Sequence, residues 1–332
     1  MATALGLRTA VGTGEESVYG TPVAIDRRME IVSESLQRQN TILQSAGISG
    51  RPVTMRRGAR RVISARMGSG DLVMELATNG MGRFFEHMLG STPGAPTQQE
   101  ATTAFLQTHE FGSLTGKALT VQKSLRDGAG TEIEVFTFHG CKVGSWEITC
   151  TVDAIPQLTL TLDAEDVDTS TASTALLALD EPTGGVFTFL GGALTVAGSP
   201  VARVLEATIS GDNALKTDSF FIGSGGLKAE PEVTDFRSVT GSLRAEFTDP
   251  ALFYDRFTAD TGVALELTFT GENIETTYDE EIVITVPQVH FTGETPTVGG
   301  PELVENPAPF EASYDDTNPP ITITYMSTDE DV

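Results

Sequence analysis

Along QLTLTLD, residues 157–163, Leu158, Leu160 and Leu162 alternate with polar neighbours. The same two-residue period runs through GDLVMELAT (70–78), SWEITCTV (145–152), ALELTFT (264–270), EIVITVP (281–287) and PITITYM (320–326). In SWEITCTV the apolar set is Trp146, Ile148, Cys150 and Val152. Successive side chains of a strand point to opposite faces, so this period predicts antiparallel strands with one apolar and one solvated face. Val, Ile, Thr and Phe, which suit such surfaces, supply much of the pattern. Only two stretches carry a helical period. GMGRFFEHMLG (80–90) groups Phe84, Phe85, Met88 and Leu89 and stops at Gly90, a C-terminal cap. PALFYDRFTAD (250–260) begins with Pro250 in a first turn and groups Leu252, Phe253 and Phe257. The fold class is therefore all-β with short flanking helices, and Gly-, Pro- and Thr-rich loops are expected over 91–104, 168–185 and 292–319.

The two helices prompt a search for a repeat. SLQRQN (35–40) aligns with TISGDN (208–213), which sets Asn40 on Asn213. GDLVMEL (70–76) aligns with GSLRAEF (241–247), each followed by its helix. LTVQKS (119–124) aligns with LELTFT (265–270), Val143 with Val289, and IPQLTLTL (155–162) with NPPITITY (318–325). The order is the same in both halves. We read an N-terminal arm (1–27), one domain (28–170), a linker (171–184) and a second copy of the domain (185–332).

Charge separates the halves. The net charge is −25, of which residues 1–170 carry −4 (15 basic, 19 acidic) and residues 171–332 carry −21 (6 basic, 27 acidic). Against this background RPVTMRRGARRVISAR (51–66) gathers Arg51, Arg56, Arg57, Arg60, Arg61 and Arg66. The matching loop of the second half, GLKAEPEVTDFRSV (226–239), carries Glu230, Glu232 and Asp235. Opposite charges at equivalent positions favour a contact between unlike halves, by steering and register more than by affinity. A solvated basic loop is the plainer alternative. A nucleic-acid patch would want interleaved aromatics, and Tyr, Trp and Phe are missing from 51–66.

Nothing in the sequence points to catalysis. His87, His109, His139 and His290 do not pair at metal-ligand spacing, and Cys141 and Cys150 form no CxxC. The cysteines sit nine residues apart along one extended segment, which suits free thiols better than a disulfide. G-x-S-x-G, the P-loop and H-E-x-x-H are missing, and no cofactor is implied. DAEDVD (163–168) is carboxylate-rich but lacks the turn glycine of a calcium loop, so a solvated acidic loop is expected there. No apolar run approaches a membrane span, and the first residues do not read as a signal peptide, which points to synthesis in the cytoplasm.

The opening GTGEESVYGTPVAIDRRMEIVSESL (12–36), with its G-x-E-x-x-Y-G-T-P segment and S-E-S-L strand, resembles the start of major tail tube proteins of long non-contractile-tailed bacteriophages. GDLVMEL with its helix (70–90), FHGCKVGSWEI (138–148) and VTGSLRAEFTD (239–249) fit the same family in order. The resemblance implies a β-sandwich or half-barrel tube domain. Its sheets would join between subunits into a closed barrel, and its rings would stack into a tube through which DNA leaves the virion. It implies a non-enzymatic virion protein whose partners are itself and the tape measure, distal tail and tail terminator proteins. Six tube domains line a ring, so two per chain implies a trimeric ring, and one implies a hexamer. The arginine loop falls where the family has a loop that settles on the next ring. An acidic bore would keep DNA from sticking. Alternation nominates Asp71, Glu75, Glu147, Glu246, Glu266 and Glu281 for its lining. The competing readings are a distal tail or connector ring and a surface-binding β-sandwich.

Overall fold

The computed structural model describes residues 3–48, 55–293, 295–298, 300–301 and 303–332. Half of the chain lies in strands and little in helices, as the alternation predicts. The first half holds β1 Ala10–Glu16, β2 Arg27–Met29, β3 Ser33–Glu34, β4 Gln37–Gln44 and β5 Arg61–Glu75, then α1 Gly82–Leu89. It continues with β6 Gly90–Ser91, β7 Thr97–Gln98, β8 Phe105–Phe111, β9 Ala118–Arg126, β10 Glu132–Thr151, β11 Gln157–Ala164 and β12 Asp166–Asp168. After α2 Thr174–Ala178 come β13 Gly192–Val196, β14 Ser199–Pro200, β15 Val204–Asp212, β16 Leu215–Lys216, β17 Glu232–Val233 and β18 Ser238–Glu246. The chain ends with α3 Tyr254–Thr258, β19 Val263–Glu275, β20 Tyr278–Phe291, β21 Glu305–Ala312 and β22 Thr322–Ser327.

One sheet crosses the molecule in the order β4–β5–β11–β10–β15–β18–β21–β20. Two smaller sheets lie behind it, β2–β1–β9–β10–β12 and β14–β13–β19–β20–β22–β8. The pairings branch but never return on themselves, so one chain closes no barrel among its described strands. β10 serves two sheets because its backbone breaks step twice, between Phe138 and Cys141 and between Val143 and Ser145. Gly140 lies in the first break with φ +62, and a Cβ there would come within 2.8 Å of the Glu165 Cβ and 3.1 Å of the Tyr19 ring, so a side chain would collide.

The core follows from the alternation. In β11 Leu158, Leu160 and Leu162 are buried while Thr161 stays exposed, and in β22 Ile323 and Tyr325 are buried. Trp146 and Ile148 point inward as expected, but Val152 lies beyond β10 and is exposed. Gly211 meets the Trp146 indole so closely that a Cβ there would overlap the ring. α1 ends at Gly90 with φ 98, the left-handed cap anticipated from sequence. α3 is a single turn, shorter than the 250–260 stretch suggested.

Three segments depart from the sequence reading. Residues 10–16, assigned to an arm, form a buried central strand between β2 and β9. The expected linker contains α2, whose Leu176 is buried against Ala10 and Ile25. The expected loop 292–319 contains β21, between β18 and β20. The match of 155–162 to 318–325 also fails: β11 stands between β5 and β10, whereas β22 stands between β20 and β8. It is β21, between β18 and β20, that occupies the place corresponding to β11.

Candidate functional site

The large sheet has one face on the core and one face open. Asp71 and Glu75 on β5, Glu147 on β10 and Glu246 on β18 all lie on the open face, because they alternate with buried Leu72, Met74, Ile148 and Ala245. The other two nominated acids, Glu266 and Glu281, sit on β19 and β20 in a smaller sheet, so the structure does not bring all six together. Burial and the neighbouring charges of Asp279 and Glu266 raise the Glu281 carboxyl above its usual range. Four acids that the sequence reading missed join the open face: Glu206 and Asp212 on β15, and Glu305 and Glu311 on β21. Period two in VLEATISGD was the available signal for the first pair; Pro307 and Pro309 disguised the second. Serines, threonines and glutamines occupy much of the rest, with Val73, Pro307 and Pro309 among them, and the cation Arg244 is held by Glu206 at 3.2 Å and Glu305 at 3.1 Å.

β4 and β5 run past the sheet as a two-stranded arm. Its cross-strand pairs Ile42–Ile63 and Leu43–Val62 are exposed, as is Met55. Arg56, Arg60 and Arg61 are exposed near its end and Arg57 is half-buried; Arg51 lies outside the described residues. Exposed apolar pairs on a hairpin are the kind of surface that protein contacts cover. Arg66 belongs to the base of the arm, 3.5 Å from Asp166, which Arg38 also approaches at 3.5 Å.

The loop after β15 folds back instead of projecting. Gly226 accepts a hydrogen bond from the Arg66 backbone N–H. Glu230 pairs with the buried Lys142 at 2.5 Å and accepts the Gly116 N–H at 2.7 Å, while Glu232 and Asp235 are exposed. Burial lowers the Lys142 ammonium from its ordinary pKa, against the pull of Glu230. Lys228, wholly buried, pairs with Asp163 at 2.5 Å, and burial raises the Asp163 carboxyl. The acidic run 163–168 is thus directed at separate partners: Asp163 at Lys228, Glu165 at His139, Asp166 at two arginines and Asp168 at Ser170 and Thr171. Glu165 raises the His139 pKa, and the Ser170 and Thr171 hydrogen bonds lower Asp168 to about 2. Among the described residues no group of three or more His, Cys, Asp or Glu could hold a metal.

The G-x-E-x-x-Y-G-T-P segment acquires a physical meaning. Glu16 is buried and accepts the Gly20 N–H at 2.9 Å, the Gly140 N–H at 2.8 Å and the Thr120 hydroxyl at 2.8 Å. One carboxylate therefore ties the β1 turn to the bend of β10. Cys141, next to that bend, is a buried thiol whose pKa burial raises; Cys150 is also free.

Residues of the second half finish the helix of the first. Asn213 donates to the Met88 and Val143 carbonyls at 3.0 and 2.9 Å. Arg237 donates to the carbonyls of Leu89 at 2.9 Å and Gly112 at 3.1 Å, bonds the Asn213 side-chain oxygen at 2.7 Å, and lies 3.6 Å over the Phe111 ring. Burial lowers the Arg237 pKa to about 10. These contacts brace the β10–β15 junction, where Ser145–Thr151 pairs with Glu206–Asp212. By contrast, among the described residues β4 is paired only through β5, and β20, bordered by β19 as far as Val289, stops at Phe291, so the large sheet is open along β4 and just beyond Val289.

The family described as phage tail tube protein matches residues 6–312. No curated protein matches the chain. A match over nearly the whole length, on a chain built of strands with open sheet borders, identifies it. The chain belongs to the phage tail tube protein family, and its place is in the tail of a virion.

Proposed function

We propose that this chain builds the tail tube by closing its large sheet with copies of itself, that each chain holds two tube domains, and that three chains make a ring. The observation that carries the reading is the β10–β15 junction: within one polypeptide, the sheet of the first half continues directly into that of the second. The halves have matching internal registers. Gln37 faces Ser69 across β4–β5, and Ser210 faces Thr240 across β15–β18. Lys123 faces Phe136 across β9–β10, and Phe269 faces Ile282 across β19–β20. A junction already made once between equivalent halves is a template for the junctions between chains. In this reading the first domain also takes in residues 10–16.

Each half contributes four strands to the wall, so three chains give a barrel of about 24 strands. Tilted by about 35°, at the usual strand spacing, such a barrel is about 45 Å across between backbones. The open face described above then becomes the lumen. Acids outnumber cations on that face, and Arg244 is already held by Glu206 and Glu305, so phosphates find little cationic contact there and DNA passes with little counterion release or adhesion. Closure also removes the exposed borders, which are otherwise a hazard. Negative-stain microscopy of the purified protein tests this. Long tubes of uniform bore are expected; isolated rings that never stack would favour a connector, and particles without a central channel would refute the reading.

A further inference from the structure

The sheet contains enough register information to specify the contact between chains. Reading across the strands of the first half, Glu34 faces Leu72, Leu72 faces Leu160, Leu160 faces Trp146, and Trp146 faces Gly211. In the second half Ala207 faces Leu243, and Leu243 faces Ala308. Glu34 and Ala207 hold equivalent places, 173 residues apart, as do Leu72 and Leu243, 171 apart. Crossing the first half therefore starts at the position of residue 207 and arrives at 211, a stagger of four residues. A barrel with evenly tilted strands repeats that stagger at every domain.

Applying it to the second half fixes the next partner. Thr292 donates its backbone N–H to the Pro309 carbonyl at 2.8 Å, which sets 292 opposite 309 and Gly293 opposite Ala308. Four residues beyond Glu34 is Arg38. Gly293 then faces Arg38 of the next copy, Thr292 faces Gln39, and Phe291 faces Asn40. The inferred pair would invert the bulk of its counterpart: Trp146 lies against Gly211 at the internal junction, and Gly293 would lie against Arg38 at the external one. Backbone chemistry agrees. Pro307 and Pro309 lack N–H groups, so β21 offers the chain after Phe291 few rungs. The described residues of 292–298 carry no strand. The unpaired border of a second copy's β4 supplies the missing rungs.

The same offsets move a side-chain pair. Asn213 and Arg237, which cap α1, correspond to Asn40 and Arg66, and these face each other across β4–β5. The helix corresponding to α1 is α3. It lies beside the end of β20, where Phe253 meets Phe291 edge-to-face at 5.2 Å.

Resting on the ring reading above, we propose that the β4 border of one copy, with Asn40 and Arg66, docks on the segment after Phe291 and on the C-terminal end of α3 of the next copy, in the register that sets Thr292 against Gln39. Arg66 is then a contact within the ring, distinct from Arg56, Arg57, Arg60 and Arg61. The test combines Thr292→Cys with Gln39→Cys, both exposed positions on the open face. Gln37→Cys and Thr41→Cys, each with Thr292→Cys, are the registers shifted by two. Oxidised assemblies run without reductant should give dimers and trimers for the Gln39 pair and a ladder that ends at three, with at least about tenfold less for the shifted pairs. Arg66→Ala, checked for an unchanged far-ultraviolet spectrum, should raise the concentration needed for assembly by about tenfold. Tubes that cross-link best through position 37 or 41 would overturn the register and spare the ring. Tubes that cross-link through none of the three would overturn the docking border itself. A wild-type protein that remains monomeric at millimolar concentration would remove the ring reading and this contact together. Wild-type assembly by Arg66→Ala would overturn the capping role.

Discussion

Single residues here carry more than their sequence context announces. His109 gave no functional signal, yet it is fully buried, bonded to Thr92 at 2.9 Å and set edge-on to Phe85, and burial pushes its pKa down to about 3. The folded protein keeps this ring neutral, while the unfolded chain protonates it near pH 6.5. Stability is therefore lost as pH falls from about 6.5 towards 3, by about 2 kcal/mol at pH 5. Urea melts at pH 7 and pH 5 should show that loss, and His109→Gln should flatten it above pH 5, where most carboxylates do not yet titrate. Glu16 shows the converse. Its motif was visible in the sequence, but its role was not, since two of its three donors, Thr120 and Gly140, lie more than a hundred residues away.

Elements were legible where the period was clean. β11, β19, β20 and β22 follow from alternation alone, and α1 from its apolar face and Gly90. β21 was hidden because two prolines in ENPAPFEA read as a loop; the strand tolerates them because β18 bonds the other edge along its full length. The loop between β15 and β18 was read as an acidic docking partner; Glu232 and Asp235 stay exposed on it, while Glu230 pairs with Lys142 and Lys228 with Asp163 across the two halves. Side-chain pairing at such separation leaves no periodic trace. Lys228→Met should cost about 3–5 kcal/mol, because it strands a buried carboxylate. Adding Asp163→Leu should recover most of that loss. Chemical denaturation of the single and double variants measures both, and a double variant no better than the single would contradict the pairing.

For the whole molecule, composition announced a polyanion and the aligned sequence segments led us to expect two equivalent halves, but neither told which acids share a surface. That depends on which strands join, and the β10–β15 pairing is a contact between halves with no local signature. The protruding arm is the remaining basic feature. If it settles on the acidic surface of the next ring, replacing Arg56, Arg57, Arg60 and Arg61 together by Glu should leave the monomer's melting temperature nearly unchanged while abolishing tubes. Light scattering and microscopy would show this, and normal tubes from the variant would remove the arm from the assembly contact. High salt should weaken the wild-type contact in the same direction.

The β10–β15 seam has a consequence for how such a ring comes apart. Every second seam would be sealed during the folding of one polypeptide, where the effective concentration of partner strand is in the millimolar range or above. Only the alternate seams would answer to dilution. Disassembly would then release whole chains as paired wedges, never lone domains, and wear on the tube would concentrate at three lines along its length.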